Sequence, residues 1–265
     1  MGTTNEKSRF TRRMDEVRRM HRDKFIRDRM LSNDMLDKLK ETAQPLEDLV
    51  TYYQCAIMEV ETKFKVLDQQ FSMQYDRNPI ESIKSRIKSP ESLTRKVRDR
   101  GIPLDTASIE ENIRDIAGVR VICSFPSDID MLAECFLKQD DITLIERKDY
   151  IRSPKASGYR SLHLIVSVPI FLQNEKRPMT VEVQLRTIAM DLWASLEHKI
   201  RYKKEIPEDQ MDGVTREMRA CADLAAELDR RMQDIRDRVT DWEASIYEDD
   251  GEEPGDGASG DGTES

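Results

Sequence analysis

From Ser32 onward, Met35, Leu36 and Leu39, then Leu46, Leu49, Val50, Tyr53, Ile57, Val60, Phe64 and Leu67, recur at intervals of three and four. That is the period of an apolar helical stripe, and it predicts two helices broken near Pro45. Five short alternating runs follow, at 80–87, 118–125, 142–151, 161–168 and 179–186. Each has strand length and is bounded by turns or helical segments. Between and after them the pattern predicts a basic helix over about 90–100 and further helices over about 128–138 and 188–203. The predicted fold is α/β (α+β): a mixed five-stranded sheet packed by helices. After Pro207, Met211, Val214, Met218, Cys221, Leu224, Ala225, Leu228, Met232, Ile235 and Val239 keep helical spacing toward Tyr247. At 1.5 Å per residue this helix is roughly 60 Å long, more than the domain can cover, so its far end is expected to pack on another chain or to extend into solvent.

Composition divides the chain further. The net charge of -9 is uneven, because residues 248–265 hold eight acidic residues, five glycines and no basic residue. Such a segment cannot bury a core and is expected to be disordered. Residues 7–29 are the reverse, with ten Lys or Arg against four Asp or Glu. This arm could contact RNA or an acidic surface, or extend without a partner. The expected organisation is a basic N-terminal arm (1–31), a motif-bearing domain with N-terminal helices (32–206), a long C-terminal helix (207–247) and an acidic tail (248–265). No apolar run reaches the roughly 18 residues that span a bilayer, and the N-terminus lacks a signal-peptide core, which points to the cytoplasm. Cys55, Cys123, Cys135 and Cys221 have no CxxC spacing, so reduced thiols and no zinc are expected.

Three stretches put polar chemistry into regular elements. In Arg86-Ile-Lys88-Ser89-Pro90-Glu91-Ser92-Leu93-Thr94-Arg95-Lys96, Ser89 and Pro90 start a helix whose free amides favour an anion, and Lys88, Ser92 and Lys96 recur every four residues. A solvated basic helix would carry the same residues. In Asp115-Ile116-Ala117-Gly118-Val119-Arg120, a carboxylate sits at a strand edge, where it can serve as a cap, an ion-pair partner or a metal ligand. Along Val181-Glu182-Val183-Gln184-Leu185-Arg186, alternation sends the apolar residues to one sheet face and Glu182, Gln184 and Arg186 to the other.

These blocks, together with Lys148-Asp149-Tyr150, Pro154-Lys155, Gly158-Tyr159-Arg160-Ser161-Leu162-His163 and Trp193-Ala194-Ser195-Leu196-Glu197-His198, resemble the synthetase domain of the RelA/SpoT family. The chain looks most similar to stand-alone small alarmone synthetases of the RelQ type. The resemblance implies a nucleotidyltransferase-like synthetase fold and a GTP pyrophosphokinase. Such an enzyme moves the β,γ-pyrophosphate of ATP to the 3'-OH of GTP or GDP, giving pppGpp or ppGpp plus AMP. It also implies that Asp115 binds Mg2+, with Glu182 as second ligand and as the base that takes the 3'-hydroxyl proton. Gln184 supports the site. By the same resemblance Lys88, Ser92 and Lys96 hold the ATP phosphates, Arg86 and Arg120 flank adenine, Tyr159 stacks on guanine, and Lys148, Lys155 and His163 meet the acceptor's 5' phosphates. Trp193, Glu197, His198 and Tyr202 are expected to support the sheet. Gly158 permits a close backbone approach. Relatives of this type are homotetramers, so a homo-oligomer is expected. With only His21, His163 and His198 and no His-Asp dipeptide, the chain lacks the metal-binding histidines of the family's hydrolase domain, which implies synthesis without degradation. The alternatives are a nucleotidyltransferase releasing pyrophosphate and a catalytically silent RNA-binding protein.

Overall fold

The structure, a computed structural model, describes residues 33–75, 78–201 and 207–249. The basic arm, Tyr202 and the acidic tail from residue 250 lie outside the described residues. Helix α1 (Asn33–Tyr75) is followed by β1 (Ile80–Ile87), α2 (Pro90–Asp99), α3 (Thr106–Asn112), β2 (Ala117–Cys123), α4 (Pro126–Leu137), β3 (Thr143–Asp149), β4 (Leu162–Phe171), β5 (Lys176–Thr187), α5 (Ile188–Arg201) and α6 (Glu208–Asp249). Compactness divides the chain into a first unit ending at Tyr52 and a second that begins at Tyr53. The described part of the first unit is helix, and the sheet belongs to the second.

The expected break near Pro45 does not occur, because α1 runs through that residue. Gln44, Pro45 and Leu46 are exposed, so water can satisfy the carbonyl that proline leaves without a donor, and the helix tolerates the loss. The pattern also missed α3. It is only seven residues long, and its signal is local: the Asp105 carboxylate accepts from the Ser108 amide at 2.8 Å as an N-cap. Helix α2 begins as the sequence suggests, with the Ser89 side chain accepting from the Ser92 amide and Pro90 in the first turn.

The strands form one mixed sheet in the order β1-β2-β5-β4-β3. Only β2 and β5 run parallel, and the other neighbours are antiparallel. Val119, Val121, Val181, Val183, Leu185, Leu164 and Val166 are buried on one face, where helices cover them. Phe64 of α1 stacks on Phe136 of α4 with ring centroids 4.6 Å apart, and Lys63 pairs with Asp141 at 2.6 Å. Cys123 is fully buried, which pushes its thiol up to about 12, whereas Cys221 is exposed on α6.

Register then builds the other face. Lys84 stands opposite Arg120, Arg120 opposite Gln184, Gln184 opposite His163, and His163 opposite Lys148. One step away, Arg86, Gly118, Glu182, Ile165 and Glu146 form a second cross-strand row. Cross-strand partners share a sheet face, so residues far apart in the chain are brought side by side.

Helix α6 presents two faces. One lies on the domain: the Trp193 indole donates to the Met218 carbonyl at 2.9 Å, Ala222 is buried, and Arg236 lies 4.8 Å over the Phe125 ring and donates to the Ser127 hydroxyl at 3.1 Å. The other leaves Leu224, Leu228, Met232, Ile235, Val239 and Trp242 exposed. The helix is thus held by the domain along much of its length while keeping an uncovered apolar stripe.

Between these faces, the Thr187 hydroxyl donates to the buried Asp229 carboxylate at 2.6 Å and accepts from the Met190 amide at 3.1 Å. Burial pushes the Asp229 carboxyl above the ordinary aspartate value despite the Thr187 hydrogen bond. A raised folded-state pKa means that the proton favours folding, so the ionised carboxylate is a net cost at neutral pH. Asp229→Asn keeps the acceptor and removes the charge. Its melting temperature should exceed that of the wild type by a few degrees at neutral pH, and the advantage should vanish once acid protonates Asp229 in both states; thermal denaturation across a pH series measures this.

Candidate active site

The two polar rows open into two neighbouring cavities. The larger, about 660 Å³, is walled by Arg86, Arg120, Lys155, Tyr159, Gln184 and Arg186, with Glu197 and His198 of α5 on its far side. The smaller, about 390 Å³, is lined by Asp115, Glu182, Lys96, Lys148, Arg114 and Glu146 among others. Glu197 and His198 therefore face a cavity rather than serving only to brace the sheet. Ser92 and His163 line neither cavity.

Asp115 lies just ahead of β2 and is gripped by two ammonium groups. Lys88 Nζ approaches Oδ2 at 2.7 Å, and Lys96 Nζ lies 2.8 Å from Oδ1 and 2.7 Å from Oδ2. Burial pushes the Asp115 carboxyl up, but the charge-assisted hydrogen bonds from these two ammoniums outweigh it and hold the group below the ordinary aspartate range. Lys88 precedes the Ser89 N-cap and so lies outside α2, yet it and Lys96 converge on the same carboxylate. Ser92, the third member of the row spaced by four, instead accepts from the Ser89 hydroxyl at 3.1 Å.

Glu182 is set into β5 with both carboxylate oxygens engaged. His163 Nδ1 lies 3.1 Å from Oε1, and Gln184 Nε2 donates to Oε2 at 2.8 Å. Burial raises its carboxyl, as does the charge of Asp115, yet the His163 and Gln184 contacts prevail and keep it below the usual glutamate value. It is ionised at neutral pH. Among the described residues no group of three or more metal-type ligands comes together. The pair Asp115 and Glu182 still suits a hard cation such as Mg2+, which takes one or two carboxylates and completes its shell with water and phosphate oxygens.

Tyr159 anchors the larger cavity. Lys155 Nζ sits 4.9 Å from its ring centre and 4.5 Å from that of Tyr150, and the Arg186 guanidinium lies 5.0 Å from the Tyr159 ring. An aromatic face already dressed with cations suits an electron-rich, anionic ligand. Lys148 pairs with Glu146 at 3.1 Å on the rim of the smaller cavity. The segment carrying Lys155 and Tyr159 docks on α6 through Arg160, which donates to the Ala222 carbonyl at 3.4 Å and to Asp223 at 3.2 Å. Gly158 makes that docking possible, at φ +92°, so the close approach it permits is to α6.

Sequence reasoning gave no role to Asp191, Tyr150 or Arg186. Asp191 gathers Arg120 at 3.2 Å, Arg186 at 3.3 Å and Lys84 at 3.6 Å. Its only signal is its place in the first turn of α5, directly after β5. Arg186 could have been found from the alternation that selects Glu182 and Gln184.

Comparison with known proteins follows the same lines. The model of the region found in RelA / SpoT proteins matches residues 85–207. The GTP pyrophosphokinase YwaC of Bacillus subtilis is 41% identical over 209 residues, covering 79% of this chain and 99% of that protein. The crystal structure of small alarmone synthetase 1 from Bacillus subtilis bound to its product pppGpp superposes with a TM-score of 0.67 and 34% identity, covering 74% of this chain and 99% of that one. The same synthetase bound to AMPCPP gives a TM-score of 0.62 at 32% identity, covering 75% of this chain and 99% of that one.

A methyl added to Gly158 would lie 2.6 Å from Ala222 Cβ and 3.3 Å from Arg219 Cα, at a φ that side chains rarely adopt. Gly158→Ala should therefore lower stability by about 2 kcal/mol. Gly101→Ala, also at positive φ (+64°) but in open space, should lose only the smaller backbone share. Equilibrium denaturation of the two variants side by side tests the difference.

Proposed function

Because the chain belongs to the RelA/SpoT family, we infer that it is a GTP pyrophosphokinase making the alarmones pppGpp and ppGpp. It transfers the β,γ-pyrophosphoryl group of ATP to the 3'-oxygen of GTP or GDP and releases AMP. One observation carries the reading: Asp115 and Glu182 line a single cavity with Lys96 and Lys148, beside a larger chamber walled by cations and a tyrosine.

In the reaction the 3'-oxygen attacks the β-phosphorus of ATP, the bond from that phosphorus to the α,β-bridging oxygen breaks, and AMP leaves with that oxygen. Glu182 takes the 3'-hydroxyl proton. Its lowered pKa keeps it ionised and able to accept, and Gln184 holds one of its oxygens in place. Lys88 and Lys96 hold the ATP phosphates, with Ser92 and the α2 N-terminus beside them. Polyphosphate that draws these ammoniums away also uncovers Asp115. Asp115 and Glu182 would hold Mg2+, which when bound offsets charge developing on the transferred phosphates. Arg86 and Arg120 flank the adenine. Guanine stacks on Tyr159 in place of the Lys155 ammonium, which moves to the acceptor's 5' phosphates with Lys148. Held together in this way, the two nucleotides react as an oriented pair, and no covalent enzyme intermediate is needed.

The absence of a His-Asp dipeptide supports synthesis without hydrolysis. Self-association, as a homotetramer by family resemblance, is supported by the exposed stripe of α6. No described helix is long and apolar enough to cross a membrane, which is compatible with action in the cytoplasm. Any RNA contact of the basic arm concerns residues outside those described.

Incubation with ATP, GTP and Mg2+ followed by nucleotide separation should yield AMP and a 3'-pyrophosphorylated guanosine. Release of pyrophosphate with a nucleotidylated product would point to the nucleotidyltransferase alternative. Glu182→Gln should lower kcat by about 10³-fold with little change in KM, and unchanged turnover would remove Glu182 as the base. Since the base works ionised and its folded pKa lies below the ordinary glutamate value, acid should abolish kcat only as pH falls through that lowered pKa. A kcat-pH profile that loses activity above the ordinary glutamate range, in a protein still folded, would contradict this.

A further inference from the structure

His163 has both ring nitrogens committed inside the protein, Nδ1 to Glu182 at 3.1 Å and Nε2 to the Tyr159 hydroxyl at 2.8 Å. Arg186 Nη2 donates to that same hydroxyl oxygen and, at 2.9 Å, to the Gln184 carbonyl. Gln184 then donates its amide to the second oxygen of Glu182 at 2.8 Å. The five side chains close a ring. With the imidazole neutral, only one assignment of hydrogens satisfies it. Arginine only donates, so the Tyr159 oxygen and the Gln184 Oε1 accept. The Tyr159 hydrogen therefore goes to His163 Nε2, the imidazole carries its hydrogen on Nδ1, and that hydrogen reaches Glu182, which as a carboxylate only accepts.

We propose that Arg186, the Tyr159 hydroxyl and His163 are positioning residues that orient Glu182 for the 3'-hydroxyl, the hydroxyl acting by fixing the His163 tautomer. Two arms descend from one guanidinium, one through Tyr159 and His163 and the other through Gln184, and each pins one carboxylate oxygen. Arg186 is itself held by Asp191 at 3.3 Å and Ser161 at 3.3 Å and is 4% exposed, so the ring has a rigid origin. Tyr159 thus has two separable duties: its ring faces the nucleotide chamber and its oxygen sets the base. His163, 7% exposed, serves the carboxylate rather than the acceptor's phosphates. The inference rests on Glu182 being the base of the pyrophosphoryl transfer.

The test is Tyr159→Phe, which keeps the ring and removes only the oxygen. We expect KM for GTP and GDP within about threefold of wild type and kcat lowered by about tenfold or more. His163→Asn, whose amide can stand in for Nδ1–H toward Glu182, should retain more turnover than His163→Ala. Adding Tyr159→Phe to His163→Asn should change kcat little, because the amide has no tautomer to fix. In parallel, 15N NMR of the wild-type protein, its His163 signal identified by loss in His163→Asn, should show Nδ1 protonated and Nε2 bare, and Tyr159→Phe should shift the population toward the other tautomer. Unchanged kcat in Tyr159→Phe, additive losses in the double variant, or Nε2 carrying the hydrogen in the wild type would each overturn the proposal. A wild-type protein that makes no 3'-pyrophosphorylated product would overturn the functional reading instead, and the tautomer measurement stands apart from that outcome because it needs no turnover.

Discussion

The register of β5 between its two neighbours is the constraint on which the site depends. Parallel pairing with β2 sets Glu182 beside Gly118 and Gln184 beside Arg120, while antiparallel pairing with β4 sets Gln184 beside His163. A slip of one residue would turn Glu182, Gln184 and Arg186 into the hydrocarbon face and bring Val181, Val183 and Leu185 out. The apolar side resists that slip: all three are fully buried, and each would lose on the order of 2 kcal/mol of burial if exposed. The core therefore holds the chemistry in place although it makes no contact with it.

The polar face is built from cations gathered around two carboxylates. Asp115 is shared by Lys88 and Lys96, and Asp191 by Arg120 and Arg186, so each cluster keeps an excess of positive charge. Partly buried cations left alone would be costly and would shed their protons more easily. Pairing with carboxylates offsets that cost. At Tyr159 the Lys155 ammonium lies 4.9 Å from the ring centre. The C-terminal helix contributes as well, since Gly158 and Arg160 tie the tyrosine-bearing segment to Ala222 and Asp223.

Much of the site was legible because it is written in local patterns. Alternation along 181–186 separated Glu182, Gln184 and Arg186 from the core, whereas the spacing of four put Lys88 on a helix that begins only after it. The joint partner of Lys88 and Lys96 is another matter. Nothing in the sequence around Lys96 indicates that its ammonium closes on Asp115, nineteen positions away, since that contact requires α2 to fold back beside the start of β2. His163 shows the limit more sharply. A histidine in a strand reads as packing or as a phosphate donor, and only its placement across from Gln184, with Glu182 and Tyr159 at its two nitrogens, reveals a ring.

By itself the sequence determined the five strands, the basic helix and the long C-terminal helix, because periodicity, caps and alternation act over a few neighbouring residues, whereas Asp115 and Glu182 were singled out by the family resemblance of their motifs. It misjudged Pro45, where exposure of the backbone made a broken helix unnecessary, and passed over α3, whose single cap is too short a signal. Only the tertiary structure decided strand order, the pairing of each cation with its carboxylate, the docking of Gly158 on α6 and the placement of His163 and Gln184 against Glu182. Those depend on distances between residues remote in the chain, and such distances exist only once the sheet has closed its register.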